Sequence, residues 1–197
     1  RMYLWITRLS GKPAIFLINR NLDIYIAPLK INEECFEGSL FDGEFIQRND
    51  GKFYFIIHDC WMYCGISHVH TPSHKQRWFC IHDFLTKRYI HGEGDCCQLT
   101  IKVFYDVGRE LGETWVHIQQ NKKNYIDGLI FTPKMGCWKF GRDWDLLKWK
   151  SESMHTIDLK VKVLQTRINL QILSNKKYET VETIYPQQEE HVQIMEF

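Results

Sequence analysis

A series of short β-branched and aromatic runs, each closed by Gly, Asn, Asp or Pro, constrains this chain more than any other feature. They are MYLWITRL (2–9), AIFLIN (14–19), LDIYIA (22–27), FYFIIHDCW (53–61), QLTIKVFYDV (98–107), DGLIFTP (127–133), DLLKWK (145–150) and TIDLKVKVL (156–164). Runs of this length and composition are strands, and the residues between them are turn formers. Gly11 and Pro13 separate the first two runs and NRNLD the next two, so the first thirty residues read as an antiparallel meander. Asp50-Gly51 is a hairpin signal, and the strands on either side of it should pair. Helical periodicity is scarcer. Residues 73–90 carry Trp78, Ile81, His82, Leu85 and Tyr89 at helical spacing, and 108–122 suggest a second helix.

The length of 197 residues suits one ordinary domain, or one domain with the beginning of a second. With 44% hydrophobic residues, 25% charged residues and a net charge of +1, the chain is expected to fold, and indiscriminate electrostatic binding to nucleic acid is not expected. No apolar run approaches the roughly 18 residues of a membrane-spanning helix, so a soluble, intracellular protein without membrane partners is expected. Seven cysteines, an odd number, point to free thiols in a reducing compartment. Cys60, Cys64, His68, His70 and His74 include zinc-ligand types, but their loose spacing lacks the paired knuckles of a structural zinc site.

Four spots place charge against apolar strands: Asp42-Gly43-Glu44, His58-Asp59, Asp127-Gly128, and Lys148 with Lys150. Side chains alternate along a strand, so Lys148 and Lys150 share a face and Trp149 takes the other. Two ammonium groups on one face form an anion site. A carboxylate next to Gly at a strand start can reach a metal ion or a ribose hydroxyl, although Asp-Gly is also ordinary turn chemistry. Lysines beside carboxylates and a metal describe a site for nucleotide phosphates.

In order, FDGEFI, FYFIIHDCW, DGLIFTP and LLKWK resemble motifs III, IIIa, IV and V of the covalent nucleotidyltransferases, the mRNA capping guanylyltransferases and ATP-dependent polynucleotide ligases. The resemblance spans Asp42 to Lys150. It implies an α+β fold of the ATP-grasp-like, DNA ligase–capping enzyme type: antiparallel sheets around a nucleotide groove, followed by the start of an OB-fold domain. The nucleotidyltransferase core would cover residues 1–154, and residues 155–197 would be a hinge and an incomplete OB-fold segment. By resemblance Glu44 contacts the ribose or a metal-bound water, Asp127 helps bind a divalent metal (Mg or Mn), and Lys148 and Lys150 hold the α-phosphate. Arg1 stands where the arginine of motif I belongs, and Arg20 matches the arginine after the first hairpin.

There are departures from the family pattern. The motif I lysine, the nucleophile, belongs five residues before Arg1, and neither Lys12 nor Lys30 has the surrounding motif to replace it. Motif VI belongs beyond HVQIMEF. The chain by itself is therefore expected to be inactive. His58 stands where the family has an aromatic residue that stacks on the purine. The Asp-Gly of motif IV, Trp149 in motif V and Lys102 ahead of aromatics resemble guanylyltransferases, especially those of large DNA viruses. The implied reaction takes GTP and the 5′ end of RNA as substrates. Triphosphatase and methyltransferase domains could share the parent chain, and the implied location is the cytoplasm of an infected cell or a virion. The alternatives are an RNA or DNA ligase adenylation domain and a non-catalytic nucleotide- or RNA-binding module with the same fold.

Overall fold

The computed structural model describes residues 1–108, 111–120, 126, 128–139, 141, 143–152 and 155–185. Two compact units divide between Trp149 and Lys150. The first is built on a seven-stranded sheet. Strands β1 (Met2–Leu9), β2 (Lys12–Asn19) and β3 (Ile24–Ile26) form the expected meander. Strands β4 (Ser39–Gln47) and β5 (Phe53–Tyr63) flank the Asp50-Gly51 turn and pair antiparallel. The short β6 (Ile66–Ser67) follows, giving the order β3-β2-β1-β4-β5-β6. Strand β7 (Gln98–Ile101) joins β5 in parallel, an exception to the expected antiparallel arrangement.

Period-two alternation sorts the side chains of this sheet. Leu4 and Ile6 on β1 are fully buried, and their cross-strand partners Leu17 and Ile15 on β2 are nearly so. Phe41, Phe55, Ile57 and Cys60 extend that face across β4 and β5. Helix α1 (His74–Asp83) covers it, and the chain continues as a π-helical turn over Phe84–Arg88. Phe84 stacks on Phe41 with ring centroids 4.5 Å apart. Each such buried side chain contributes about 1.5–3 kcal/mol.

The helix expected over 73–90 forms, with a different buried stripe. Arg77, Ile81 and Phe84 face inward, while His82 is exposed and Trp78 only partly covered. An arginine occupies the inward stripe because it pairs with the Asp59 carboxylate there, which periodicity of apolar residues cannot signal.

Helix α2 (Leu111–Gln120) and a two-stranded ribbon, β8 (Gly128–Phe131) with β9 (Leu147–Lys150), complete the described part of this region. Trp149 meets Trp115 of α2 edge to face at 5.0 Å. The second unit contains an antiparallel meander of β10 (Lys160–Val163), β11 (Ile168–Ser174) and β12 (Lys177–Ile184). Among the described residues no helix is long and apolar enough to cross a membrane. All seven cysteines are free thiols.

Two glycines test this packing in opposite directions. A Cβ at Gly43 would lie 2.7 Å from the Ile56 carbonyl oxygen and 2.7 Å from the Phe55 ring, whereas one at Gly112 on α2 meets nothing within 4 Å. Gly43→Ala should lower unfolding free energy by about 1–3 kcal/mol through overpacking. Gly112→Ala should raise it by up to about 1 kcal/mol through helix propensity. Urea titration of both variants checks the pair, and equal effects would contradict the packing described.

Candidate functional site

Strand register gathers the arginines and acidic residues at one end of the sheet. Met2 pairs with Asn19 on one side and Gly43 on the other. Arg1, Arg20 and the Asp42-Gly43-Glu44 segment therefore fall at the same end of neighbouring strands, which lie about 4.8 Å apart. Arg20 is exposed in the β2–β3 turn. The Asn19 side chain shapes that turn by accepting from the Asn21 and Asp23 amides at 2.9 and 3.0 Å.

Two β-bulges interrupt the β4–β5 pairing beside this cluster. Phe41 pairs with Cys60 while Leu40 pairs with Met62, and Asp42 pairs with Asp59 while Gly43 pairs with Ile57. Trp61 and His58 are the extra residues, and a bulge re-aims the side chain it carries. His58 directs Nε2 to Asp42 Oδ1 at 3.4 Å. Arg1 grips the same carboxylate with both arms of its guanidinium, Nε lying 2.8 Å from Oδ1 and Nη2 bonding Oδ2.

Asp42 is only 2% exposed, so its charge is viable because two cationic or hydrogen-bonding groups face it. Burial raises its pKa, but the hydrogen bonds from His58 and Arg1 and their charges outweigh that effect and hold it below the usual carboxylate value. The same pair raises the pKa of Arg1. Asp42 is thus a positioning carboxylate, and it sets the rotamers of Arg1 and His58. The His58 imidazole has its Nε2 edge on that carboxylate.

Glu44, two residues along β4, is half exposed and meets Lys102 Nζ at 3.3 Å. Lys102 directly follows β7, where its amide donates to the Ile57 carbonyl at 2.8 Å. The parallel pairing of β7 therefore delivers this lysine to the acidic segment. The sequence marked Lys102 only as a resemblance, because its partner lies 58 residues away.

Lys148 and Lys150 lie two apart on β9, with Trp149 between them directed to Trp115. Asp127 lies outside the described residues. Among the described residues no group of three or more His, Cys, Asp or Glu side chains could hold a metal ion. Of the zinc-type residues, Cys60 is fully buried, Cys64 sits 4.0 Å from Cys35 Sγ, and Cys80 lies 3.5 Å from His68 Nε2. A groove of about 550 Å³ is lined by Leu9, Lys12, Ile26 and Phe36. It lies along the turn-proximal half of the β1–β2 hairpin, away from the end that carries Arg1.

The family model described as mRNA capping enzyme, catalytic domain, matches residues 1–152.

The buried pair makes a pH-dependent prediction. A depressed folded-state pKa contributes stability above the unfolded value of about 3.9, and that contribution is lost as pH falls through the lower folded value. Asp42→Asn should cost about 2 kcal/mol at pH 7. The gap between variant and wild type should close in the acid range below about pH 4. Urea titrations of both proteins from pH 7 downward measure it; a gap that is constant with pH would show that the carboxylate's charge is not what stabilises the site.

Proposed function

The chain belongs to the family of mRNA capping enzyme catalytic domains, and on that premise we propose that it forms the nucleotide-holding core of an mRNA guanylyltransferase. The observation that carries this reading is the strand register that sets Arg1, Arg20 and Glu44 side by side within the matched residues.

In the proposed reaction, the nitrogen of a motif I lysine attacks the α-phosphorus of GTP. A P–N bond forms, the P–O bond to pyrophosphate breaks, and the lysine releases a proton. An oxygen of the RNA 5′-diphosphate then attacks the same phosphorus, the P–N bond breaks, and a 5′–5′ linkage results.

This chain's own residues bind and orient. Arg1, fixed by Asp42, and Arg20 present cationic groups at the sheet end where the nucleotide would lie. Glu44 would accept from a ribose hydroxyl, with Lys102 neutralising its charge. Lys148 and Lys150 face the phosphates and stabilise charge that develops on them in the transition state.

A divalent ion would neutralise phosphate charge. Glu44 is a half-exposed oxygen donor of the hard type that Mg or Mn prefers, so the described site fits one carboxylate of such an ion's ligand set. Asp127 is the proposed second. The β10–β12 meander is consistent with the opening strands of an OB-fold, and triphosphatase and methyltransferase domains are proposed companions in the parent protein.

The test is intact-mass spectrometry of a polypeptide extended upstream of Arg1 through the motif I lysine and downstream through motif VI, incubated with magnesium and GTP or ATP. A GMP adduct is expected, and Lys148→Ala should slow its formation by about 100-fold or more. An AMP adduct would assign the chain to the ligases instead. No adduct from a folded protein would make it a binding module.

A further inference from the structure

Among the described residues, the β8–β9 ribbon that carries motifs IV and V shares no strand pairing with the seven-stranded sheet that carries motifs III and IIIa. What ties the two together is the chain just after β8. It runs along the lead-in to α1: Ser73 bridges Met135, the His74 amide donates to the Lys134 carbonyl at 3.2 Å, and the Gly136 and Trp138 amides donate to the Pro72 and Val69 carbonyls.

One side chain braces this seam. Arg77, 4% exposed, forks onto Asp59 of β5, with Nε at 2.7 Å from Oδ1 and Nη2 at 3.2 Å from Oδ2. Its remaining arm, Nη1, donates to the Thr71 carbonyl at 2.8 Å and the Gly136 carbonyl at 3.0 Å. A single guanidinium therefore touches the sheet, the helix lead-in and the chain that leaves β8. Lysine cannot make this arrangement, because its ammonium is a point charge without a planar fork. Asp59, neighbour of His58 and cross-strand partner of Asp42, is thereby committed to Arg77.

We propose that Arg77 is a positioning residue for nucleotidyl transfer, holding the β8–β9 ribbon in register with the acidic end of β4 and β5 so that its lysines meet the phosphate. This rests on the guanylyltransferase reading. Arg77 is too buried to touch substrate and acts through Gly136. Misplacement of the ribbon would change the geometry of the transition state more than that of the bound nucleotide.

The test combines two readouts on Arg77→Lys, with Asp59→Asn as the second variant, since complete truncation at Arg77 could prevent folding. In the 197-residue chain, hydrogen exchange at 129–131 and 134–138 should accelerate about tenfold or more in either variant, while β1 and β4 keep their protection. In the extended polypeptide, the rate of GMP-adduct formation at saturating GTP should fall about tenfold or more, while the half-saturating GTP concentration stays within about threefold. Unchanged exchange across 129–138, or acceleration spread evenly over β1 and β4, would overturn the brace. So would an unchanged adduct rate in the folded Arg77→Lys variant. If the wild type forms no GMP adduct, the guanylyltransferase reading fails and positioning for transfer falls with it; the exchange data then report only whether the seam depends on Arg77.

Discussion

The structure of the main sheet depends on the confinement of β4 at Asp42-Gly43. This strand is hydrogen-bonded on both sides, to β1 and β5. At Gly43 the Phe55 ring and the Ile56 carbonyl leave no room for a Cβ. One residue earlier, a carboxylate is driven out of water, and Arg1 and His58 must approach it for the strand to be tolerated there. Close packing and charge satisfaction are therefore imposed on adjacent residues, and the geometry of the site follows from meeting both.

The bulges on β5 are part of that solution. The bulge at His58 sets Asp59 and Asp42, two like charges, directly opposite one another. The insertion of His58 lets an imidazole reach Asp42, while Arg77 takes Asp59. Two carboxylates in one register position are thus each given different partners. The same strand supplies Trp61, whose ring lies 4.9 Å from Tyr3 and 4.3 Å from Trp138, so the aromatic packing of β1 and of the chain after β8 also converges on β5.

Much of this was legible in the residues. The Asp50-Gly51 turn, the opening meander and the two helices follow from local chemistry, in which turn formers and side-chain period act over a few residues. The departures are non-local. The inward stripe of α1 is centred on Arg77 because of Asp59, eighteen residues earlier. A lone arginine among apolar helix positions otherwise reads as solvated. Strands β11 and β12 lie outside the apolar runs that the sequence marks as strands, and they pair across the Asn175-Lys176 turn, where both residues have positive φ.

By itself, the sequence determined the strand-rich class, the turns and the ordered motifs, because each depends on residues close together in the chain. Only the tertiary structure decided what each charge does. Asp42 and Glu44 share one short motif, yet one is buried under Arg1 and His58 and the other is half exposed beside Lys102. Their partners lie 41, 16 and 58 residues away in the chain, brought together by sheet register. Burial and the choice of counter-charge depend on that register, and spacing along the chain does not encode it.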